Sequence, residues 1–222
     1  MHGGGGKARQ PMARRLIYGV RWPQARPRGR LRDGGAKRGE APVSVVVREA
    51  ELADAHGVAR VEIDAWRDTY PTLLPSAHLV GGLDMARRTV FWRHRLSNRS
   101  ALRTVVGAVN SRGPIVGYAT WGPCRMDTLA SAGQLFELYL LPDHQGRGLG
   151  RRLCAAVGEC FLKAGVSSMC VEVLEGNPNR FFYEAIGGRL AARARHPFAG
   201  TILPTLIYAW DDLELLVGER AR

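Results

Sequence analysis

Leu135-Phe-Glu-Leu-Tyr-Leu-Leu-Pro142-Asp-His-Gln145-Gly-Arg-Gly-Leu-Gly150-Arg-Arg-Leu-Cys-Ala-Ala-Val157 changes its periodicity part-way along. Up to Leu141 it is an apolar run of strand length, and Pro142, which has no N–H to give a ladder, stops it. From Gly148 to Ala164 the apolar residues recur at helical spacing, with Leu149, Leu153, Cys154, Val157, Cys160 and Phe161 on one stripe. A strand therefore enters a glycine-rich turn and leaves it as an amphipathic helix. Such a turn gathers backbone N–H groups and the positive end of a helix dipole at one point, which makes an anion site. Two familiar phosphate motifs do not fit. A P-loop needs Lys-Ser/Thr after its last glycine, where Arg151-Arg152 stands, and the dinucleotide fingerprint needs a third glycine where Arg151 and Leu153 stand.

Working outward, Met169-Cys-Val-Glu-Val-Leu174 reads as the next strand after Gly165 closes the helix. Asn177-Pro178 then opens a short helix that ends at Gly187-Gly188, and Asn177 is placed as its N-cap with Pro178 at N1. Arg189–Arg195 and Thr205–Trp210 read as the last two strands. Upstream, Thr104–Val109 and Ile115–Trp121 flank the turn residues Asn110-Ser-Arg-Gly-Pro114 and predict an antiparallel hairpin. Before it, Val43–Val47 reads as a β-branched strand. Val58, Val61, Ile63, Ala65 and Trp66 mark a helix to about residue 68, and a second helix runs from Asp84 as N-cap to about Leu96.

Residues 1–42 differ in texture. They are rich in Gly, Arg and Pro, have no helical or strand period, and read as a disordered basic extension ahead of a folded domain at 43–222. Eleven of the 32 Lys/Arg residues lie there against only Asp33 and Glu40, so the formal charge of +12 belongs mainly to this segment. It contains no Ser, unlike most transit peptides, and reads as a solvated tail or an early start with Met12 as the internal alternative. Contact with nucleic acid is not expected of the mildly basic remainder. No apolar run approaches the ~20 residues that span a bilayer, and no secretory signal is evident, so a soluble cytoplasmic protein is expected. Cys124, Cys154, Cys160 and Cys170 form no C-x-x-C pair, and no His/Cys cluster has metal-ligand spacing, so reduced thiols and no metal are expected.

The pattern Q/R-x-x-G-x-G/A at Gln145–Gly150, preceded by Leu138-Tyr-Leu-Leu-Pro142, resembles the coenzyme A turn of the GNAT superfamily of N-acetyltransferases. Asn177-Pro-Asn-Arg-Phe-Phe-Tyr-Glu-Ala-Ile-Gly-Gly188 resembles a second element of that family, and the order of strands and helices agrees from residue 43 to about 211. The resemblance implies an α/β (α+β) fold: a mixed, mostly antiparallel sheet of about six to seven strands flanked by about four helices. It implies acetyl transfer from acetyl-CoA directly to a primary amine of a small molecule or peptide. The cosubstrate's pyrophosphate would lie on the N–H groups of Gly146, Arg147, Gly148, Leu149, Gly150 and Arg151, in the turn that Gln145 opens. The pantetheine arm would lie along the backbone of Leu138, Tyr139 and Leu140 and against Asn177.

Transfer to an amine needs a proton acceptor for the nitrogen and a proton donor for the departing thiolate. Tyr183 aligns with the family's general acid, and a phenol titrating near ~10 can donate at neutral pH. The base is less determined. Many relatives carry a Glu where this chain has Gln134. Glu137 lies close by but, at strand period 2, is expected on the opposite face from Gln134, and Glu172 on the next strand is a second candidate. Glu137 ranks first. Trp66 and Tyr70, four residues apart, are candidates to line the amine pocket, with core packing as their alternative. Two other readings stay open: a coenzyme A binder without catalysis, suggested by Gln134, and a nucleic-acid binder acting through the basic arm. The sequence also leaves room for a homodimer.

Overall fold

In a computed structural model the chain is described over residues 44–69, 84–98, 102–110, 112–126, 129–198 and 201–218. The extension 1–42 and Tyr70 lie outside the described residues. Seven strands, β1 (Val45–Glu49), β2 (Arg103–Val109), β3 (Ile115–Pro123), β4 (Gly133–Leu140), β5 (Met169–Leu174), β6 (Arg189–Phe198) and β7 (Thr201–Trp210), form one sheet in the order β1-β2-β3-β4-β5-β7-β6. Every neighbouring pair is antiparallel except β4–β5, which is parallel. Five α-helices are described: α1 (Ala55–Thr69), α2 (Met85–Ser97), α3 (Leu149–Lys163), α4 (Arg180–Ala185) and α5 (Leu213–Gly218). The fold class is the one expected.

The parallel pair follows from the connection. β4 turns into α3, which crosses back over one face of the sheet before β5 begins, and a parallel neighbour requires such a crossover. The stripe read from the sequence is the buried face of α3: Leu149, Leu153, Cys154, Val157 and Phe161 are at most 4 % exposed. α5 packs on α3, where a Cβ at Gly158 would stand 3.1 Å from Val217. α1 and α2 cover the other face. A Cβ at Gly57 of α1 would meet Ile115, and Trp92 of α2 sits edge-on to Tyr118 at 5.0 Å.

Element ends moved where tertiary pairing decides them. β1 is expected over Val43–Val47 but runs over Val45–Glu49, because the sheet needs Val45 opposite Val109 and Glu49 opposite Val105. α2 starts where expected, with Asp84 Oδ1 accepting Arg87 N–H at 2.8 Å. The last two strands are longer than expected and form a hairpin, Phe198 opposite Thr201.

The start of α1 is anchored by a forked ion pair. Arg48 Nη1 and Nη2 donate to Asp54 at 2.7 and 2.8 Å, and the Glu51 N–H adds a third bond at 2.7 Å. Burial alone would push the Asp54 carboxyl up, but these hydrogen bonds and the Arg48 charge outweigh it and leave the group below the ordinary carboxylate value. A depressed folded pKa contributes stability above about pH 4, the unfolded value, that is lost as pH falls through the folded one. Urea midpoints measured from pH 6 to pH 3 should therefore fall less steeply in Asp54→Asn than in wild type. Parallel curves would remove Asp54 from the acid-sensitive set.

Candidate active site

The glycine turn has the conformation that its composition requires. Gly146 and Gly148 have φ of 71° and 77°, in the left-handed region that strains other residues. These two reversals carry the chain into α3, where Arg152 N–H is bonded to Gly148 O at 3.1 Å. The N–H groups before it have no acceptor within the helix and project from the positive end of a 15-residue helix. Gly150 serves packing instead, since a Cβ there would stand 3.2 Å from the Phe182 ring. Beside the turn lies a cavity of about 490 Å³ lined by Gly148, Arg151, Pro178, Phe181, Phe182 and Ile186. Gln145 Nε2 donates to Leu140 O at 3.4 Å and ties the turn to the end of β4. His144, at the entry to the turn, is held below its ordinary pKa by burial and then by the Arg147 charge.

β4 and β5 part company beyond this end. They pair only at Gly133–Met169, Gln134–Cys170 and Leu135–Val171. From Phe136 to Leu140 the β5-facing N–H groups of β4 have no strand to bond, and an extended ligand can take the place of the missing neighbour. Asn177 follows β5 and is fully buried. Its Oδ1 accepts Asn179 N–H at 2.9 Å, while its Nδ2 is buried without a hydrogen-bond partner. This corrects the expected N-cap. α4 begins at Arg180 with Asn179 as its N-cap, and Asn177 makes a turn within the preceding loop. An amide donor buried without a partner costs on the order of 1–3 kcal/mol, a cost that a hydrogen-bond acceptor at that point would remove. α4 delivers Tyr183 to the α3 side of the sheet, 3 % exposed, stacked on Tyr208 at 6.1 Å and edge-on to Trp210 at 6.3 Å.

The opposite face differs from expectation at one residue. Thr120 pairs with Glu137 but Trp121 pairs with Leu135, which leaves Phe136 as an extra residue in β4. That bulge breaks the period of 2. A Cβ at Gly133 would meet Phe161 of α3, and one at Gly117 would meet both Leu140 and Leu153 of α3, so Gly133 and Leu140 face α3, whereas Glu137 reaches Arg95 of α2. Gln134 and Glu137 therefore share the α1/α2 face, contrary to the alternation expected. Gln134 Oε1 accepts Arg125 N–H at 3.0 Å. Glu137, 3 % exposed, receives Arg95 Nη1 at 3.0 Å on Oε1, and its Oε2 has no partner. Tyr118 OH and Thr120 Oγ1 beside it are buried without hydrogen-bond partners too. Burial, reinforced by the Glu137 charge, pushes the Tyr118 phenol well up. On β5 of the same face, Glu172 is 5 % exposed, accepts Thr205 Oγ1 at 2.8 Å and lies 3.3 Å from His196 Nδ1.

A family model described as FR47-like protein matches residues 126–196, which span the turn, the opening and α4. The chain is 36% identical over 172 residues to the uncharacterized N-acetyltransferase YuaI of Bacillus subtilis, covering 78% of this chain and 96% of that one. It belongs to the GNAT superfamily of N-acetyltransferases. A [ribosomal protein bS18]-alanine N-acetyltransferase of Haemophilus influenzae is 36% identical over 73 residues, 33% of this chain and 47% of the relative. Among solved structures, the PaiA N-acetyltransferase of Thermoplasma acidophilum in complex with coenzyme A superposes with a TM-score of 0.58 at 16% identity, over 73% of this chain and 98% of that one. YncA of Salmonella typhimurium with acetyl-CoA gives 0.57 at 20% identity, over 77% and 94%. At those identities the structures show the fold.

Within this GNAT chain, Leu138, Tyr139 and Leu140 form the unpaired end of β4, the Gln145–Arg151 turn follows it, and Asn177 lies in the loop after β5. Tyr183 and Glu137 stand on opposite faces of the sheet. Trp66 is half-buried on α1 and packs against the core. Three groups went unread in the sequence: Arg95, Thr205 and His196. Arg95 had a signal, since Arg88, Trp92 and Arg95 recur at helical spacing on α2. His196 had none, because its partner lies 24 positions away on another strand. The four thiols are free, with burial pushing Cys154 up to about 12. Among the described residues no group of His, Cys, Asp and Glu could hold a metal, and no helix is long and apolar enough to cross a membrane.

Proposed function

We propose that this enzyme acetylates a primary amine of a small molecule or peptide by direct transfer from acetyl-CoA held in the β4–β5 opening. The observation that carries the reading is the unpaired end of β4, with the glycine turn at its foot and the orphaned Asn177 Nδ2 beside it. Residues 146–151 hold the pyrophosphate through backbone N–H groups, Leu138–Leu140 hold the pantetheine as a missing strand would, and Asn177 donates to one of its carbonyls. The thioester lies at the opening, reached by Tyr183 from the α3 side and by the amine from the α1/α2 side. Tyr183 gives its proton to the departing thiolate. Glu137 orients the amine through Oε2, the oxygen that Arg95 leaves unused, and Trp66 and Tyr70 belong to the acceptor's approach.

An amine buried in a peptide N-terminus and one on a small molecule make the same demand on this chemistry. The H. influenzae relative acts, by its name, on an alanine of a ribosomal protein, which places peptide N-termini in the panel to be tested. A cytoplasmic location fits consumption of acetyl-CoA. Thiol release from acetyl-CoA across amines and peptides tests the reading. With the best acceptor, Tyr183→Phe should lower kcat about 100-fold, at the low end for general acid–base groups, and leave the KM for acetyl-CoA within about threefold. Coenzyme A binding without turnover of any acceptor would turn the reading toward a binder, and full activity in Tyr183→Phe would remove the acid.

A further inference from the structure

We infer that His196 is the group that takes the proton from the acceptor amine, and that Glu172 and Thr205 position it. The inference rests on the direct-transfer reading above and adds to it the base, a role for which Glu137 stood first in the sequence.

The sheet register places the three residues. β5 leaves β4 after Val171, so Glu172 is the first β5 residue in the opened part. Gln134 pairs with Cys170, and Glu172, two residues on, shares its face, the one that carries Glu137 and the acceptor. Thr205 pairs with Leu174, and His196 pairs with Leu203, so both lie further along the direction in which the opening widens. Leu203, Thr205 and Ile207 alternate along β7 onto that same face, because Ile207 pairs with Glu172. His196 reaches back across β7 toward Glu172, and its neighbour on this face of its own strand, Ala194, opposite Thr205, is small enough to leave the way clear.

The chemistry of the cluster is asymmetric. Glu172 is nearly sealed, and Thr205 Oγ1 donates to the same Oε1 that faces His196 Nδ1. A buried carboxylate fixed by a hydroxyl is a poor partner for a mobile substrate and a good one for an imidazole N–H. With Nδ1–H turned to Glu172, the other ring nitrogen carries the lone pair, and the imidazole is 24 % exposed, so that nitrogen can meet an incoming amine. The carboxylate then stabilises the imidazolium that forms, the task of the acid in any carboxylate–imidazole pair. Glu137 is committed differently, with Arg95 on one oxygen.

The acceptor arrives as an ammonium and gives one proton to His196 Nε2. Its lone pair attacks the thioester carbon, the N–C bond forms and the C–S bond breaks. Tyr183 protonates the thiolate, and the second proton shed by nitrogen restores the Tyr183 hydroxyl. His196 releases the first proton to solvent.

Two measurements test it. In protein labelled with ¹⁵N-histidine, His196 should be the Nδ1–H tautomer at neutral pH and lose that bias in Glu172→Gln, which can keep the Thr205 bond. In thiol-release assays with the acceptor that wild type turns over fastest, His196→Ala should lose about 100-fold in kcat/KM, recover partly with added imidazole, and bind coenzyme A within about twofold of wild type. The loss should shrink below about tenfold with an analogue of that acceptor fluorinated beside its nitrogen, which is already neutral at the assay pH. Activity of His196→Ala within about threefold of wild type, or an equal loss with both amines and no rescue, would overturn the assignment. If wild type acetylates no amine, the function proposed above fails, and the tautomer measurement still decides whether the pair exists: an Nε2–H tautomer sinks it.

Discussion

Replacing Glu62 by Ala should cost the fold about 3–5 kcal/mol, the loss that follows when one partner of a buried ion pair is removed. Glu62 is 1 % exposed on the sheet-facing side of α1. Arg88 of α2 grips it through Nε at 2.9 Å and through Nη2, and Trp92 Nε1 adds a third bond at 2.7 Å. The pair therefore staples α1 to α2 above the acceptor face. Deleting the carboxylate leaves the Arg88 charge buried without its counter-ion and strips the indole of its acceptor at once. Urea unfolding should show a lower midpoint at unchanged slope. The double variant Glu62→Leu with Arg88→Met removes both charges and should recover most of the loss, leaving about 1–3 kcal/mol for the orphaned indole. A single variant that loses less than about 1 kcal/mol, or a double variant no more stable than the single, would show that packing rather than charge holds the two helices.

Glu62 follows Val58 at helical spacing, so it lies on an apolar stripe where a charge needs a partner, but nothing local names Arg88, which lies 26 residues away beyond two prolines. The same division runs through the site. The glycine turn, the α3 stripe and the end of β4 at Pro142 were legible because backbone conformation and periodicity act over a few neighbouring residues. The bulge at Phe136 was not, since it exists only in the pairing of β4 with β3, and it moved Gln134 and Glu137 to one face. α5 was missed because six residues offer too little periodicity to distinguish a helix from a tail. The place of Asn177 before Pro178 suggests a local task, capping, but α4 begins only after Asn179, whose side chain makes no capping bond. The burial and unused Nδ2 of Asn177 come from the packing of a loop against the sheet, which makes it more informative about the ligand than its place before Pro178 suggested.

The second large effect concerns the turn, and the chain supplies its own control. Gly148 and Gly165 have nearly the same conformation, φ of 77° and 76°, and a Cβ at either would meet nothing within 4 Å. One begins α3 at the opening, and the other follows its far end. Valine at either position forces a β-branched residue into the left-handed region, which costs about 1–2 kcal/mol or more, and its Cβ meets no neighbour at either site. Gly148→Val and Gly165→Val should therefore lose similar stability. They should differ in the ligand. Relief of the strain at 148 turns the peptide planes that aim the N–H groups at the pyrophosphate, so titration calorimetry with coenzyme A should show the dissociation constant raised about tenfold or more, roughly 1.4 kcal/mol. Gly165→Val should bind as wild type does. Acetylation should follow, with the KM for acetyl-CoA rising in the first variant only. If both variants bind coenzyme A equally well, the turn is a structural corner and the pyrophosphate lies elsewhere. If both bind it equally poorly, loss of stability accounts for the effect. Only the asymmetric result assigns the backbone of 146–151 to the anion, because length, burial and strain are matched between the two ends of one helix.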